Sequence, residues 1–211
     1  MCGRFTIVSN SQVMTDHFKL VAVEKFTHSY NITPSSDIPI VRLNDNKREL
    51  INCHWGLIPH WAKDTKLQPF NAKAETIAEK PFFRSAFKKH RCLIPANGFY
   101  EWQGTSKPKQ PYYFRLKDSE LLAFAGLWEQ WEHEGNTIES CTIITTDANI
   151  IMNPVHHRMP VILEPDNYDE WLINGGNDLL IPYTGKMKSC PVSTAVNNPE
   201  NNSSDLIQAL T

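Results

Sequence analysis

Apolar residues in this chain come in short runs, each closed off within a few residues by turn formers. The runs 38–43, 49–55, 91–95, 111–116, 122–127 and 140–146 have the length of strands and are rich in β-branched and aromatic residues. Asn44-Asp45-Asn46 and Glu134-Gly135-Asn136 have the composition of hairpin turns. Helical candidates are brief and scattered: 11–18, 76–79, 82–90, 149–152, 166–173 and 203–210, with Asp166 as the N-cap of its helix behind Pro165. Many strands with few helices predict an α+β fold, a mainly antiparallel, barrel-like β-sheet with short peripheral helices. At 211 residues, with neither an internal repeat nor a low-complexity linker, residues 1–211 are expected to form a single domain. A strict βαβ rhythm is missing, as are GxGxxG and GxxxxGK[ST] loops, so no nucleotide cofactor, and no other cofactor, is expected.

The formal net charge of -2 denies the chain a global basic field, so any nucleic-acid contact must come from a local cluster. No apolar run approaches the roughly 20 residues of a membrane span. Arg4, Thr6, Ser9 and Asn10 interrupt the start where a signal peptide would be apolar. The expected location is cytoplasmic and nucleoid-associated, with no membrane partner. The five cysteines are odd in number and widely spaced, and no CxxC pair exists. That pattern fits neither a disulfide framework nor a zinc site. Cys53, Cys92 and Cys141 read as small buried hydrophobes within strands.

Cys2 is different. Its small side chain permits enzymatic removal of Met1, which would leave an amine and a thiol on one carbon. Ordinary values, near 8 for the amine and about 8.5 for the thiol, would give useful fractions of both nucleophiles at neutral pH. An amine condenses with an aldehyde to an imine, and the neighbouring thiol can then close a five-membered thiazolidine. An internal cysteine cannot do this, because its nitrogen is an amide. Gly3 removes bulk beside it. The competing reading of Met1-Cys2 taken alone is an idle residue in a frayed terminus.

Three other segments carry polar groups in strand-like or aromatic settings. In Phe70-Asn71-Ala72-Lys73-Ala74-Glu75, an extended chain puts Asn71, Lys73 and Glu75 on one face. In Gly98-Phe99-Tyr100-Glu101-Trp102, a carboxylate sits between large aromatics, where apolar surroundings raise its pKa toward a proton-shuttling range. In His156-His157-Arg158-Met159-Pro160, an imidazole suits acid–base work and an arginine suits bidentate phosphate contact. Trp55-Gly56-Leu57-Ile58-Pro59-His60-Trp61 places aromatics near Lys63 and Lys66, as base stacking with phosphate contact requires. Each segment also has a plain structural reading: an edge strand, an amphipathic strand, a core-capping histidine, core tryptophans.

In order along the chain, Met1-Cys2-Gly3-Arg4-Phe5, Tyr30-Asn31-Ile32-Thr33-Pro34 and the segments just described, followed by Val192-Ser193-Thr194-Ala195-Val196-Asn197-Asn198, resemble the SOS-response-associated peptidase (SRAP) family, the abasic-site processing proteins. The resemblance implies a protein that recognises abasic sites in single-stranded DNA and crosslinks to them through Cys2, with lyase and autoproteolytic side activities. It implies the catalytic set Cys2, Asn71, Glu101 and His156, and a DNA-facing surface of Arg4, Trp61, Lys73, Thr145 and Arg158. A monomer is expected, with replication machinery as a candidate partner. Many members carry Arg where this chain has Lys73, which keeps the charge and loses the bidentate fork. The alternatives are an N-terminal-nucleophile amidotransferase, a thiol peptidase using Cys2, His156 and Asn71, and a passive single-stranded-DNA binder.

Overall fold

The structure is a computed structural model that describes residues 2–105 and 108–210. Its elements in chain order are β1 (Phe5–Ile7), α1 (Ser11–Phe18), β2 (Ala22–Val23), β3 (Ser29–Ile32), β4 (Asp37–Asn44), β5 (Lys47–Trp55) and β6 (Asn71–Lys73). There follow α2 (Arg84–Lys89), β7 (Arg91–Ala96), β8 (Gly98–Gln103), β9 (Gln110–Leu116), β10 (Leu122–His133), β11 (Asn136–Asp147), β12 (Arg158–Pro160), β13 (Ile162–Leu163) and β14 (Met187–Pro191). All six apolar runs form strands. Both turns join hairpins: Asp45 and Asn46 have φ of 49° and 59°, Glu134 and Gly135 have 50° and 80°. Two successive positive φ values make the tight turn whose twist matches that of the flanking strands.

The hairpins β4–β5 and β10–β11 are linked through β7, which pairs with both β4 and β10. A parallel contact, Ser140 with His54 and Cys141 with Trp55, joins β11 back to β5 and closes a five-stranded barrel. Closure leaves few unpaired edges and encloses a side-chain core. Cys53, Cys92 and Cys141, one from each of β5, β7 and β11, are buried in it as expected. Desolvation pushes all three thiols well above their ordinary value.

A second antiparallel sheet, in the order β14-β9-β8-β1-β3, packs on the barrel. Aromatics weld the two: Phe5 meets Trp55 edge-on at 5.2 Å and Phe124 at 5.9 Å, and Phe99 meets Phe124 at 5.8 Å. Alternation along β8 turns Phe99 and Glu101 toward the barrel, while Tyr100 joins a smaller cluster with Tyr113, Val192, Val196 and Leu206 on the far side. Gly98 starts β8 under Tyr113, and a methyl there would overlap the Tyr113 phenol and come 2.5 Å from the Phe114 carbonyl. Gly98→Ala is therefore expected to cost about 1–3 kcal/mol in chemical denaturation. An unchanged midpoint would show that β8 and β9 separate freely.

The helical expectations need correction. Ser11–Phe18 is a helix, capped by the Asn10 side chain accepting from the Val13 N–H at 2.9 Å. The 82–90 candidate is helical only over Arg84–Lys89, and 149–152 is a turn. The 76–79 and 203–210 candidates shrink to short 3-10 turns at Ala74–Thr76 and Ser204–Ile207. In the 166–173 candidate, a 3-10 turn (Pro165–Asn167) precedes a wide π-type turn (Glu170–Asn174). Asp166 lies inside the first turn and caps nothing, because Pro165 occupies the first helical position and Glu164 stands at the cap. The turn at Ala74–Thr76 also takes Glu75 out of the extended face expected to hold Asn71 and Lys73.

Candidate active site

The chain start is tied down, not frayed. Tyr100 N–H donates to the Arg4 carbonyl at 2.9 Å, extending the β1–β8 ladder and bringing residues 2–4 alongside Glu101 and Trp102. Cys2 is fully buried; Met1 lies outside the described residues. Asn71 comes from the opposite side. β6 pairs in parallel with β11, Asn71 against Ile143, and the Asn71 Nδ2 donates to the Cys2 carbonyl at 2.8 Å. Its Oδ1 is buried and has no hydrogen-bond partner among the described residues. A short strand on the barrel thus grips the segment that leads into the second sheet.

Glu101 is 4% exposed. Burial pushes its carboxyl up to about 7, against smaller opposing pulls that include the Trp102 backbone N–H and, after it, Lys109. Burial, and after it the negative charge of Glu101, push the Cys2 thiol far above its ordinary value. Burial thus works against the thiolate form at Cys2.

His156 ends a turn in which its N–H donates to the Met152 carbonyl at 3.0 Å. The turn is tethered to the end of β8 by Gln103 Nε2, donating to the Pro154 carbonyl at 2.9 Å. Burial lowers the imidazole pKa. Nδ1 lies 3.0 Å from the Arg158 N–H and 3.1 Å from the Arg158 carbonyl, the first serving a bare nitrogen and the second a protonated one. Lys109 acts electrostatically on both Glu101 and His156. Nothing in its polar sequence context singled it out. Among the described residues, no three His, Cys, Asp or Glu side chains converge as metal ligands would.

The residues expected to face DNA divide. Lys73 is exposed, and Trp61 is 53% exposed on the loop 57–69, whose ends meet where Leu57 N–H donates to the Pro69 carbonyl at 3.1 Å. Arg4 is partly buried. Its Nη1 donates to Asn31 Oδ1 at 2.7 Å and the Val196 carbonyl at 2.8 Å, and its guanidinium lies 5.8 Å from the Trp102 ring. Asn31 Nδ2 in turn donates to the Asn198 and Asn201 carbonyls, at 3.0 and 2.8 Å. The Tyr30–Pro34 and Val192–Asn198 motifs therefore meet in one clamp on Arg4.

Thr145 is fully buried, its hydroxyl 3.3 Å from the Ala72 carbonyl. Arg158 is turned inward. It binds both Glu75 oxygens, at 2.6 and 2.9 Å, Asp147 at 2.8 Å and the Thr145 carbonyl at 2.7 Å. Its fork is filled by the protein, and a phosphate would have to compete with two carboxylates. Arg158→Ala should cost about 1–2 kcal/mol in thermal or urea unfolding, a figure discounted because Glu75 and Asp147 are largely exposed. Arg158 holds the Glu75 carboxyl below its ordinary value. The contribution is present above that ordinary value and is lost as pH falls through the lowered one. A wild type–variant gap as wide in strong acid as at pH 7 would contradict this.

Residues 1–199 match the sequence model of the SOS response associated peptidase (SRAP) family. The chain belongs to the SRAP family. It is 44% identical to abasic site processing protein YoaM of Bacillus subtilis, over 99% of this chain and 98% of YoaM. It is 33% identical to abasic site processing protein HMCES of Xenopus tropicalis, over 89% of this chain and 68% of HMCES. A crystal structure of a Bacteroides thetaiotaomicron protein superposes with a TM-score of 0.87 at 26% identity, covering 100% of both chains. The SRAP fold here is the α+β barrel with its added antiparallel sheet. No helix among the described residues is long and apolar enough to cross a membrane.

Proposed function

We propose that this SRAP protein recognises abasic sites in single-stranded DNA and, once Met1 is removed, captures them covalently through Cys2 in the DNA damage response. One observation carries the reading: Asn71 grips the Cys2 backbone at 2.8 Å beside a buried carboxyl poised near pH 7. The Cys2 amine attacks the ring-opened aldehyde, and the proton it sheds moves to oxygen through Glu101. The carbinolamine loses water to give an imine. The thiol adds to the imine carbon as its proton passes to nitrogen, so aldehyde and aminothiol become a thiazolidine and one water. His156 assists opening of the sugar ring by proton transfer. Asn71 orients the amine. Acid–base steps of this kind contribute about 10²–10⁴-fold.

Two pKa shifts favour this order of events over a thiol peptidase. A Cys–His peptidase pair needs a thiolate beside an imidazolium. Here burial pushes the Cys2 thiol up and the His156 imidazole down, which keeps both neutral. The amine therefore acts first and the thiol closes the ring. Exposed Lys73 and Trp61 and the partly exposed Trp102 would hold the strand by charge and stacking. An imine at this carbon also acidifies the adjacent position, so slow strand cleavage by β-elimination is the expected side reaction. Mass spectrometry of the mature protein incubated with an abasic oligonucleotide tests the reading. An adduct of protein plus DNA minus water, mapped to Cys2, is expected; no adduct, or one on a lysine, refutes it.

A further inference from the structure

His60, Trp61, Pro81, Arg84, Ser85 and Lys88 line an open cleft of about 580 Å³. One wall is Trp61, braced edge-on by Phe82 at 6.0 Å. The other is α2, where Arg84 and Lys88 stand one turn apart on one face. Both are exposed, neither enters an ion pair among the described residues, and no carboxylate lines the cleft.

The loop that carries Trp61 is held rigidly. Ile58 N–H donates to Ser140 Oγ at 2.9 Å, and Trp131 Nε1 to the Ala62 carbonyl at 2.8 Å. His60 Nδ1 sits 3.2 Å from an oxygen of Glu129, a carboxylate only 1% exposed that His90 also approaches at 3.6 Å. The same loop runs into Asn71. Its anchor at Ser140 and the pairing of Asn71 at Ile143 are three residues apart on β11, roughly 10 Å at strand rise.

We propose that this cleft is a second seat for the DNA strand, where a base flanking the abasic site stacks on Trp61 and a backbone phosphate lies against Arg84 and Lys88. The inference rests on the proposed function and adds the Arg84–Lys88 phosphate contact to it. A preformed platform with two unpaired cations gives affinity that does not depend on base identity. It lets the protein hold several nucleotides beside the lesion while the Cys2 centre acts on the lesion alone.

Fluorescence anisotropy across a salt series tests this, with abasic oligonucleotides extended on the 5′ side, on the 3′ side, or cut back to the lesion and its immediate neighbours. Arg84→Ala/Lys88→Ala should flatten the slope of log affinity against log salt by about 1.4, two phosphate contacts on single-stranded DNA. Trp61→Ala should weaken binding by about 5–150-fold. Both effects should appear for one extension only and vanish for the cut-back oligonucleotide. The charge-preserving pair Arg84→Lys/Lys88→Arg should keep the wild-type slope. If the wild type binds and crosslinks but the alanine pair matches its slope on both extensions, the phosphate seat is wrong and the parent reading stands. A wild type that does not bind abasic DNA at all overturns both.

Discussion

Cys2→Ser is expected to lose the heat-stable crosslink to abasic single-stranded DNA entirely, while still forming an adduct that borohydride can trap. The amine survives the substitution and still condenses to an imine. The serine hydroxyl is a far poorer nucleophile toward that imine than sulfur, so the ring does not close and the adduct hydrolyses on heating. A chain that retains Met1, recognised by its intact mass, should not give the heat-stable product, because its Cys2 nitrogen is an amide and cannot close the ring with the Cys2 thiol. Denaturing gels run with and without borohydride separate the cases. A Cys2→Ser adduct that survives heating as well as the wild type would remove the thiazolidine step.

Glu101→Gln should move rate and stability in opposite directions. Without a titrating carboxyl the proton transfers lose their relay, and the crosslinking rate at pH 7 should fall by about 10²–10⁴-fold. Stability should rise, and the sign follows from burial. The carboxyl ordinarily titrates at 4.5 and is pushed up to about 7 in the folded chain. Below pH 4.5 it is protonated in both states and its burial carries no ionisation cost. As pH rises through the folded value, the fold must bury a charge that the unfolded chain leaves in water. That costs up to about 3 kcal/mol by pH 8. The variant should therefore melt higher than the wild type at pH 8 and close to it at pH 4.5. An undiminished rate would end the relay role; a variant less stable at pH 8 would mean that the ionised carboxylate is well paired. A rate that rises with an apparent pKa near 7 would agree with Glu101 as the titrating group.

Strands were legible in this chain where they are long enough to repeat a pattern. The β4–β5 hairpin shows its alternation and its positive-φ turn in plain sequence, as does the apolar first half of β10 with β11. Helix α1 was legible too, with its bounds, but most other helical candidates were not, because segments such as 165–174 are single turns whose geometry is set by what they pack on. β1 and β6, of three residues each, are too short to carry a period, yet they hold Cys2 and Asn71 in place. Both residues stand out by their own chemistry and pattern, but only the family resemblance implied that they belong to one site.

The same division runs through the site. The choice of Cys2 as the group of interest is covalent chemistry: an N-terminal cysteine carries an amine and a thiol on one carbon in any fold. The raised pKa expected of Glu101 was also readable, since it follows from a carboxylate set among aromatics. The thiol's state was not, because desolvation depends on neighbours that come from distant parts of the chain. Nor could local sequence show that Arg158 turns inward onto Glu75 and Asp147, 83 and 11 residues away, in place of facing outward. Composition and short-range pattern specify which groups a chain carries and which segments extend. Which of those groups are dry, paired or exposed depends on contacts between residues far apart in sequence, and those exist only once the barrel has closed.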